Sequence, residues 1–267
     1  MLQEINYRSL GKKKILVAED TSVNQFLVRR IIEGWGLEVD IANNGQEALL
    51  MVQEGEYDLV LMDIQMPVMD GIEATRHIRQ LPQSLKETIP IVALTANFLK
   101  GDREKYRAAG MNDFLPKPFN ESALFVVVSN NLQQQGVPIK PKVPLREELR
   151  PANGKLYDLS SLRGMSGGDE NFVNKLVQLY ITLSTESLLL MKEELKNSRY
   201  AEVSKLAHKM KSPAGTMKIC SVKDLIHTIV AVPLSEASTQ LPPLVDQLSK
   251  EMEHCLAQLK ADFPDQS

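Results

Sequence analysis

The sequence has little cysteine and no long apolar run. Its 267 residues include two cysteines, Cys220 and Cys255, which lack the spacing of a zinc site and the number that a disulfide framework needs. The longest unbroken apolar runs, such as Ala123–Val128, fall far below the roughly 20 residues of a membrane span. No signal peptide opens the chain. We therefore expect a cytoplasmic protein whose cysteines are core thiols in a reducing compartment.

A strong excess of one charge is also missing. Lys and Arg total 31 against 34 Asp and Glu, a net charge of -3, which gives no electrostatic reason to expect contact with nucleic acid or an anionic membrane. The composition, 43% hydrophobic and 24% charged, is that of a soluble protein. At about 150 residues per domain, the length predicts two modest domains.

Short apolar runs alternate with longer helical stretches from residue 14 to residue 134. The apolar runs predict five strands, at residues 15–18, 39–42, 59–62, 91–94 and 114–115. The stretches that follow them predict helices at residues 24–35, 46–53, 71–80, 100–109 and 121–134. Each crossover must return over the sheet, so this order predicts an α/β doubly wound domain with a five-stranded parallel sheet over residues 12–135.

The sequence changes character after residue 135. Residues 136–155 contain four prolines and no apolar period, which predicts a semi-rigid spacer. From residue 156 to residue 262, apolar side chains such as Phe172 and Leu176 recur at helical spacing. Stripes of this kind are typical of an antiparallel bundle. We therefore expect an all-α helical bundle over residues 156–262.

Polar side chains follow four of the predicted strands, where parallel sheets bind their ligands. They are Glu19, Asp20, Asp63, Thr95 and Lys117. Clustered carboxylates repel one another unless a cation joins them, and oxygen ligands favour Mg²⁺. With Mg²⁺ bound, Asp63 could attack a phosphoryl group that Thr95 and Lys117 hold. A single acid after a strand is usually a helix cap, but five compatible residues favour a functional site.

The motifs around these residues are similar to those of response-regulator receiver domains. The segments Val-Ala-Glu-Asp, Leu-Met-Asp-Ile-Gln-Met-Pro-Val-Met-Asp-Gly, Leu-Thr-Ala and Leu-Pro-Lys-Pro carry the resemblance, which covers about residues 12–135. It implies a flavodoxin-like fold with Asp63 as phosphoacceptor. It also implies Mg²⁺ held by Asp20, Asp63 and the backbone carbonyl of Gln65, with Glu19 acting through water.

The resemblance further implies a two-state switch. Phosphorylation would draw the Thr95 hydroxyl toward the phosphoryl group and let the Phe114 ring turn inward, reshaping the face formed by the fourth helix and fifth strand. A cis peptide bond is implied at Lys117–Pro118. Gln65 and Asn97 occupy positions that tune the lifetime of the acyl phosphate in receivers.

A haloacid-dehalogenase phosphatase is an alternative that also uses an Asp nucleophile on a parallel sheet. Such an enzyme needs a second Asp two residues later as its acid/base, where this sequence has Gln65. The Gln side chain has no titratable proton. The phosphatase hypothesis predicts multiple turnover on free phosphomonoesters, and we rank it below the receiver.

His208 is the candidate phosphoacceptor of the helical half. Lys211 follows one helical turn later on the same face, and the small residues after it would leave the imidazole exposed to a docked partner that donates a phosphoryl group. His77, His227 and His254 lack this context and are interpreted as ordinary helical residues.

Residues 156–262 resemble a histidine-containing phosphotransfer (HPt) domain. The resemblance rests on Tyr-Asp-Leu-Ser-Ser-Leu, Gly-Gly-Asp-Glu-Asn-Phe and Ala-His-Lys-Met-Lys. It implies that His208 is phosphorylated and that Lys211 lies near the phosphoryl oxygens.

The segment departs from that family after the histidine. Ser212 and Lys218 stand where glycine is usual, and Pro213 is expected to bend the helix. These departures leave open a second hypothesis, in which the bundle is a docking or dimerisation module that transfers nothing. The Gly-Gly-Asp-Glu run at residues 167–170 also suggests a diguanylate cyclase, but a helix capped near Asp169 explains it better.

A receiver followed by an HPt domain is the arrangement at the C-terminal end of hybrid sensor histidine kinases. We therefore expect a two-component phosphorelay protein in which Asp63 and His208 exchange a phosphoryl group, with Mg²⁺ as cofactor. The expected partners are a histidine kinase or other phosphodonor protein and a downstream receiver or HPt protein. No ATP-binding motif is visible, so the chain is either a stand-alone relay or the cytoplasmic end of a membrane-anchored kinase, and enzymatic activity beyond self-phosphorylation stays open.

Overall fold

A computed structural model describes the chain in four stretches, residues 7–81, 89–96, 101–133 and 155–264. They belong to two compact units divided near residue 145. Residues 136–154 of the predicted spacer and Asn97 lie outside the described residues.

The first unit alternates strands with helices after a short 3-10 helix, Tyr7–Leu10. Its strands are β1 (Lys14–Ala18), β2 (Glu38–Ala42), β3 (Leu59–Asp63), β4 (Ile91–Thr95) and β5 (Asp113–Pro116). Its helices are α1 (Ser22–Gly34), α2 (Gly45–Glu54), α3 (Gly71–Arg79), α4 (Asp102–Ala109) and α5 (Glu121–Leu132). The strands pair in parallel in the order β2-β1-β3-β4-β5. The predicted fold class is confirmed, and each predicted strand or helix end lies within two residues of the observed one, although residues 100 and 134, where two predicted helices begin and end, lie outside the described residues.

The register of the sheet brings the carboxyl ends of its strands to one edge. Every residue of β3 and β4 is buried, as expected of parallel strands covered by helices on both faces. Ala18 at the end of β1 lies beside Met62, and Thr95 at the end of β4 lies beside Pro116. Residues that end or follow these strands, including Asp63, therefore share one edge.

All of the regular secondary structure that is described in the second unit is helical. Its helices are α6 (Ser160–Met165), α7 (Glu170–Lys196), α8 (Tyr200–Thr216), α9 (Cys220–Ala231) and α10 (Ala237–Asp262). The α7 and α9 helices each pack against α8 and α10. Their contact faces bury apolar side chains such as Val173, Met210, Ile226 and Met252. This arrangement confirms the predicted all-α bundle.

Two local predictions for the second unit can be compared with the structure. Asp169 caps α7, where its carboxylate accepts a hydrogen bond from the backbone N of Phe172 at 3.1 Å. The cap predicted for the Gly-Gly-Asp-Glu run is therefore confirmed. Pro213 lies within α8, which continues to Thr216; the bend expected at this proline stays a prediction. None of the helices in the described stretches combines the length and the apolarity that crossing a membrane requires.

Gly71, the first residue of α3, lies directly against the backbone at the end of β3. A Cβ at this position would lie 2.0 Å from the backbone oxygen of Asp63 and 2.9 Å from Met62 Cγ. Alanine therefore requires the loop after β3 to move. We expect Gly71→Ala to lower the free energy of unfolding of the first unit by about 1–3 kcal/mol. Urea denaturation followed by the fluorescence of Trp35, the single tryptophan, measures this loss.

Gly34→Ala is the matched control for this substitution. Gly34 ends α1, and a Cβ there would meet no atom within 4 Å. We expect its unfolding free energy to stay the same or to rise slightly, because alanine restricts the unfolded chain. Equal losses in both variants would contradict the steric argument for Gly71.

Candidate functional site

Three carboxylates come together where β1 and β3 end. Glu19 and Asp20 follow β1, Asp63 ends β3, and one oxygen of each lies within 4.8 Å of the other two. Glu19 is 1% exposed, Asp63 is 8% exposed, and Asp20 is half-buried. The cluster could bind a divalent cation, because carboxylate oxygens are the preferred ligands of Mg²⁺ and a cation offsets their mutual repulsion.

Glu19 is oriented by donors from the beginning of α1. Its Oε1 accepts hydrogen bonds from the backbone N of Thr21 at 3.2 Å and from Asn24 Nδ2 at 2.9 Å. Burial raises the pKa of Glu19; the Lys117 ammonium opposes this, and the Asp63 carboxylate adds to it. With Oε1 engaged by α1, Oε2 is the oxygen that meets Lys117.

Lys117, which follows β5, joins two of the carboxylates. Its Nζ donates to Glu19 Oε2 at 2.5 Å and to Asp63 Oδ2 at 2.7 Å, and its side chain is 6% exposed. Burial lowers the pKa of this ammonium, but Asp63 and Glu19 together raise it above its ordinary value, so Lys117 stays charged. The Lys117–Pro118 peptide bond is cis, as the resemblance implied.

The remaining predicted residues of this site lie around the cluster. Gln65 is exposed, and its backbone N donates to Asp63 Oδ1 at 3.3 Å. Thr95 is 3% exposed, and its Oγ1 accepts a hydrogen bond from the hydroxyl of Tyr106 at 3.1 Å. Phe114 is half-buried on β5. Tyr106 was missed by the sequence analysis, since a tyrosine inside a helix usually indicates core packing.

A single acid after a strand is usually a helix cap, and Asp70 and Asp20 differ in this respect. Asp70 is the N-cap of α3 and accepts a hydrogen bond from the backbone N of Glu73 at 2.8 Å. Asp20 is not a cap, because the N-cap residue of α1 is Thr21, whose hydroxyl donates to Asp20 Oδ1 at 3.1 Å. Asp20 therefore belongs with the acidic cluster.

His208 lies in the middle of α8 and is half-buried, as is Lys211 one turn later. The imidazole is thus less exposed than the sequence suggested. Burial lowers the pKa of Lys211, and the positive charge of Lys223 on α9 lowers it further. Burial, Lys211 and Lys223 also lower the pKa of His227, against a smaller opposing effect of Asp224. The positive charge of Lys223 therefore lowers the pKa of both Lys211 on α8 and His227 on α9.

Lys218 occupies the turn between α8 and α9. Its φ is 49°, a left-handed conformation that glycine adopts more easily than lysine. Its Nζ donates to Asp158 Oδ2 at 3.0 Å. The departure from the HPt pattern therefore adds an ion pair that links this turn to the segment before α6.

Comparison with known proteins identifies the first unit. Residues 15–129 match the family model of the response regulator receiver domain. This part of the chain is a receiver domain. Its sheet order and acidic edge are those described above, and Glu19, Asp63 and Lys117 lie within the matched residues.

The chain is also similar to hybrid histidine kinases. Hybrid signal transduction histidine kinase B of Dictyostelium discoideum is 46% identical over 123 residues, which are 43% of this chain and 6% of that protein. In Escherichia coli strain K12, the histidine-protein kinase BarA is 26% identical over 80% of this chain and 23% of its own length. The aerobic respiration control sensor ArcB of the same strain is 27% identical over 92% of this chain and 31% of its own length. The chain thus spans less than a third of these relatives.

Solved structures also match the receiver. The receiver domain of a Pseudomonas aeruginosa sensor histidine kinase, with a magnesium ion in its active site cleft, is 39% identical; the match covers 46% of this chain and 99% of that one, with a TM-score of 0.43. A chemotaxis protein of Vibrio cholerae is 30% identical over 46% of this chain and 100% of its own, also with a TM-score of 0.43.

Removing the Lys117 ammonium tests its role between the carboxylates. We expect Lys117→Met to lower the free energy of unfolding of the receiver by about 3–5 kcal/mol, because Glu19 and Asp63 would remain buried without their cation. Urea denaturation in EDTA, followed by Trp35 fluorescence, measures the loss. Added Mg²⁺ should recover part of it if the carboxylates bind the ion.

Lys13→Met is the matched control. Lys13 Nζ lies 2.8 Å from Asp58 Oδ1 in a surface pair whose side chains are 38% and 34% exposed. Such pairs contribute about 0–1 kcal/mol. A loss of that size for Lys117→Met would show that the buried ammonium does not offset the charge of the carboxylates.

Proposed function

We propose that the receiver accepts a phosphoryl group on Asp63 in a Mg²⁺-dependent reaction, and that Asp63 exchanges this group with His208. The observation that carries the proposal is the buried contact of Lys117 with both Glu19 and Asp63, beside the third carboxylate of Asp20. A single edge of the sheet thus offers a nucleophile, a cation and a set of metal ligands.

The donor set fits a hard cation. Glu19, Asp20 and Asp63, together with the backbone carbonyl of Gln65, are the groups that would hold Mg²⁺, Glu19 acting through water. The ion would offset negative charge on the phosphoryl oxygens. The cluster offers only oxygen ligands, and Asp20 is its most exposed member.

The transfer itself uses the side chains at the strand ends. A carboxylate oxygen of Asp63 attacks phosphorus, an acyl phosphate O–P bond forms, and the donor's bond to phosphorus breaks with its electron pair leaving on the donor. Lys117 Nζ and the Thr95 hydroxyl would donate to the phosphoryl oxygens and stabilise their charge.

His208 is the proposed second phosphoacceptor. Its nitrogen attacks the phosphorus of phosphorylated Asp63, an N–P bond forms and the aspartyl O–P bond breaks; the reverse reaction returns the group. The similarity to BarA and ArcB covers 80% and 92% of this chain and therefore includes the helical unit. This extent supports an HPt domain over residues 156–262, joined by a proline-rich spacer to a receiver over residues 12–135.

The partners follow from this relay. We propose a histidine kinase or other phosphodonor protein upstream and a separate receiver or HPt protein downstream, in the cytoplasm. The relatives carry the name hybrid histidine kinase or sensor, which supports a place for this sequence at the cytoplasmic end of a longer kinase.

A docking or dimerisation module without transfer is the second candidate for the helical unit. Pro213 inside α8 and the ion pair of Lys218 with Asp158 favour it, because both alter the segment that follows His208. This second hypothesis requires that His208 stays unmodified in a chain whose receiver is phosphorylated.

One labelling experiment tests these proposals. The chain is incubated with ³²P-acetyl phosphate and Mg²⁺, and we expect an acid-stable, alkali-labile label that EDTA prevents. An acid-labile label should follow as the group reaches histidine. No alkali-labile label in excess Mg²⁺ would overturn the proposed phosphorylation of Asp63. An alkali-labile label that never becomes acid-labile would favour the docking module, and sustained turnover of free phosphomonoesters would favour a phosphatase.

A further inference from the structure

Tyr106 on α4 is a buried tyrosine without a place in the reaction described above. Its side chain is 5% exposed, and its hydroxyl donates to Thr95 Oγ1 at 3.1 Å. Thr95 is the residue proposed to donate to the phosphoryl group, and it is itself 3% exposed. A buried hydrogen bond therefore ties α4 to a side chain of the reactive edge.

Phe114 cannot provide this hydrogen bond. It holds the position of the family's switch aromatic, but its ring has no hydroxyl, and it is half-buried with the Arg103 guanidinium 6.0 Å from the ring centroid. The hydroxyl that meets Thr95 comes from a different element, α4, which precedes β5 in the chain.

The direction of the hydrogen bond decides what Tyr106 can do. A threonine hydroxyl has one proton and two lone pairs. Because Tyr106 donates to a lone pair of Thr95 Oγ1, this bond does not use the Thr95 proton. Donation from Tyr106 also polarises the Thr95 hydroxyl and makes it a stronger donor.

The surroundings keep the Tyr106 phenol protonated. Burial raises the pKa of the Tyr106 phenol, and the negative charges of Asp102 and Asp63 raise it further. A neutral phenol remains a donor throughout the neutral pH range.

We propose that Tyr106 is a positioning residue for phosphoryl transfer to Asp63: by donating to Thr95 Oγ1, it fixes the Thr95 hydroxyl so that the Thr95 proton is directed to a phosphoryl oxygen. The inference rests on the proposed phosphorylation of Asp63. In the phosphorylated receiver, Thr95 accepts from Tyr106 and donates to the phosphoryl group, so α4 is linked through two hydrogen bonds to the modified aspartate.

Tyr106→Phe tests this role because it removes only the hydroxyl. We expect the rate of Asp63 labelling by acetyl phosphate in Mg²⁺ to fall about two- to tenfold, the value of one hydrogen bond. Since Tyr106 acts through Thr95, the same substitution should have no effect in a Thr95→Ala background. In a Thr95→Ser background, which keeps a hydroxyl, the decrease should persist.

Tyr57→Phe is the matched control. The Tyr57 hydroxyl donates to Asp40 Oδ2 at 2.8 Å in the same unit, and its removal should leave the labelling rate unchanged. Urea denaturation confirms that each variant is folded under the assay conditions. The positioning role is overturned if Tyr106→Phe lowers the labelling rate equally in the unmodified chain and in the Thr95→Ala variant. It is also overturned if Tyr106→Phe lowers the rate in neither. No label on the unmodified chain overturns the proposed function, and this inference with it.

Discussion

Asp63→Asn is expected to abolish the alkali-labile label on the receiver. An amide of the same shape keeps an oxygen that can accept from Lys117, so the sheet edge should persist. It lacks the anionic oxygen that attacks phosphorus. Labelling with ³²P-acetyl phosphate in Mg²⁺ should therefore fall to background. The affinity for Mg²⁺ should fall as well, since the cluster loses one of its three carboxylates.

Asp58→Asn is the control at the opposite end of the same strand. Asp58 precedes β3, and its oxygens accept from Lys13 Nζ and the backbone N of Lys14, each at 2.8 Å. This variant loses the same charge in the same unit and should be labelled at the rate of the unmodified chain. If Asp63→Asn retained the alkali-labile label, another carboxylate would be the phosphoacceptor.

The acidic site was predictable because its reactive residues end or directly follow buried strands in the sequence. Glu19, Asp63 and Lys117 each stand where an apolar run stops, and parallel pairing alone places such residues together. The finer contacts were not predictable from the sequence. Which oxygen of Glu19 meets Lys117 depends on the donors at the beginning of α1, which the strand pattern does not encode.

Tyr106 and His208 show what kind of contact the sequence pattern misses. Helical spacing predicts that one face of α4 is buried, but not that the Tyr106 hydroxyl reaches Thr95 across a β-strand end. The half-burial of His208 likewise depends on how α8 packs against its neighbouring helices, and the packing of α9 against α8 brings Lys223 near Lys211. Both contacts are set by tertiary packing between elements that are separate in the sequence.

Lys117 and Thr95, the two proposed donors to the phosphoryl group, are held in place by different kinds of contact. Lys117 contributes a charge that two buried carboxylates hold in place. Thr95 contributes a neutral donor that Tyr106 holds in place. A change at Lys117 should therefore alter stability and metal binding together, whereas a change at Tyr106 should alter the reaction with little effect on either.

His208→Gln is expected to remove the acid-labile label completely and to leave the alkali-labile label on Asp63 in place. Glutamine keeps a polar, similarly long side chain on the half-buried face of α8 but has no nucleophilic nitrogen. His254→Gln, an exposed helical position on α10, is the control and should leave the acid-labile label unchanged. If both variants kept the acid-labile label, the phosphohistidine would be a different residue.

Mixing variants then shows whether the exchange occurs within one chain. In a mixture of Asp63→Asn and His208→Gln chains, each chain holds one phosphoacceptor, so any acid-labile label must have passed between molecules. Intermolecular transfer is second order and should rise with protein concentration, whereas transfer within the unmodified chain should not. If the mixture at low concentration acquires the acid-labile label as fast as the unmodified chain does, Asp63 and His208 need not contact each other within one chain. In that case the spacer would only keep the two phosphoacceptors on the same molecule.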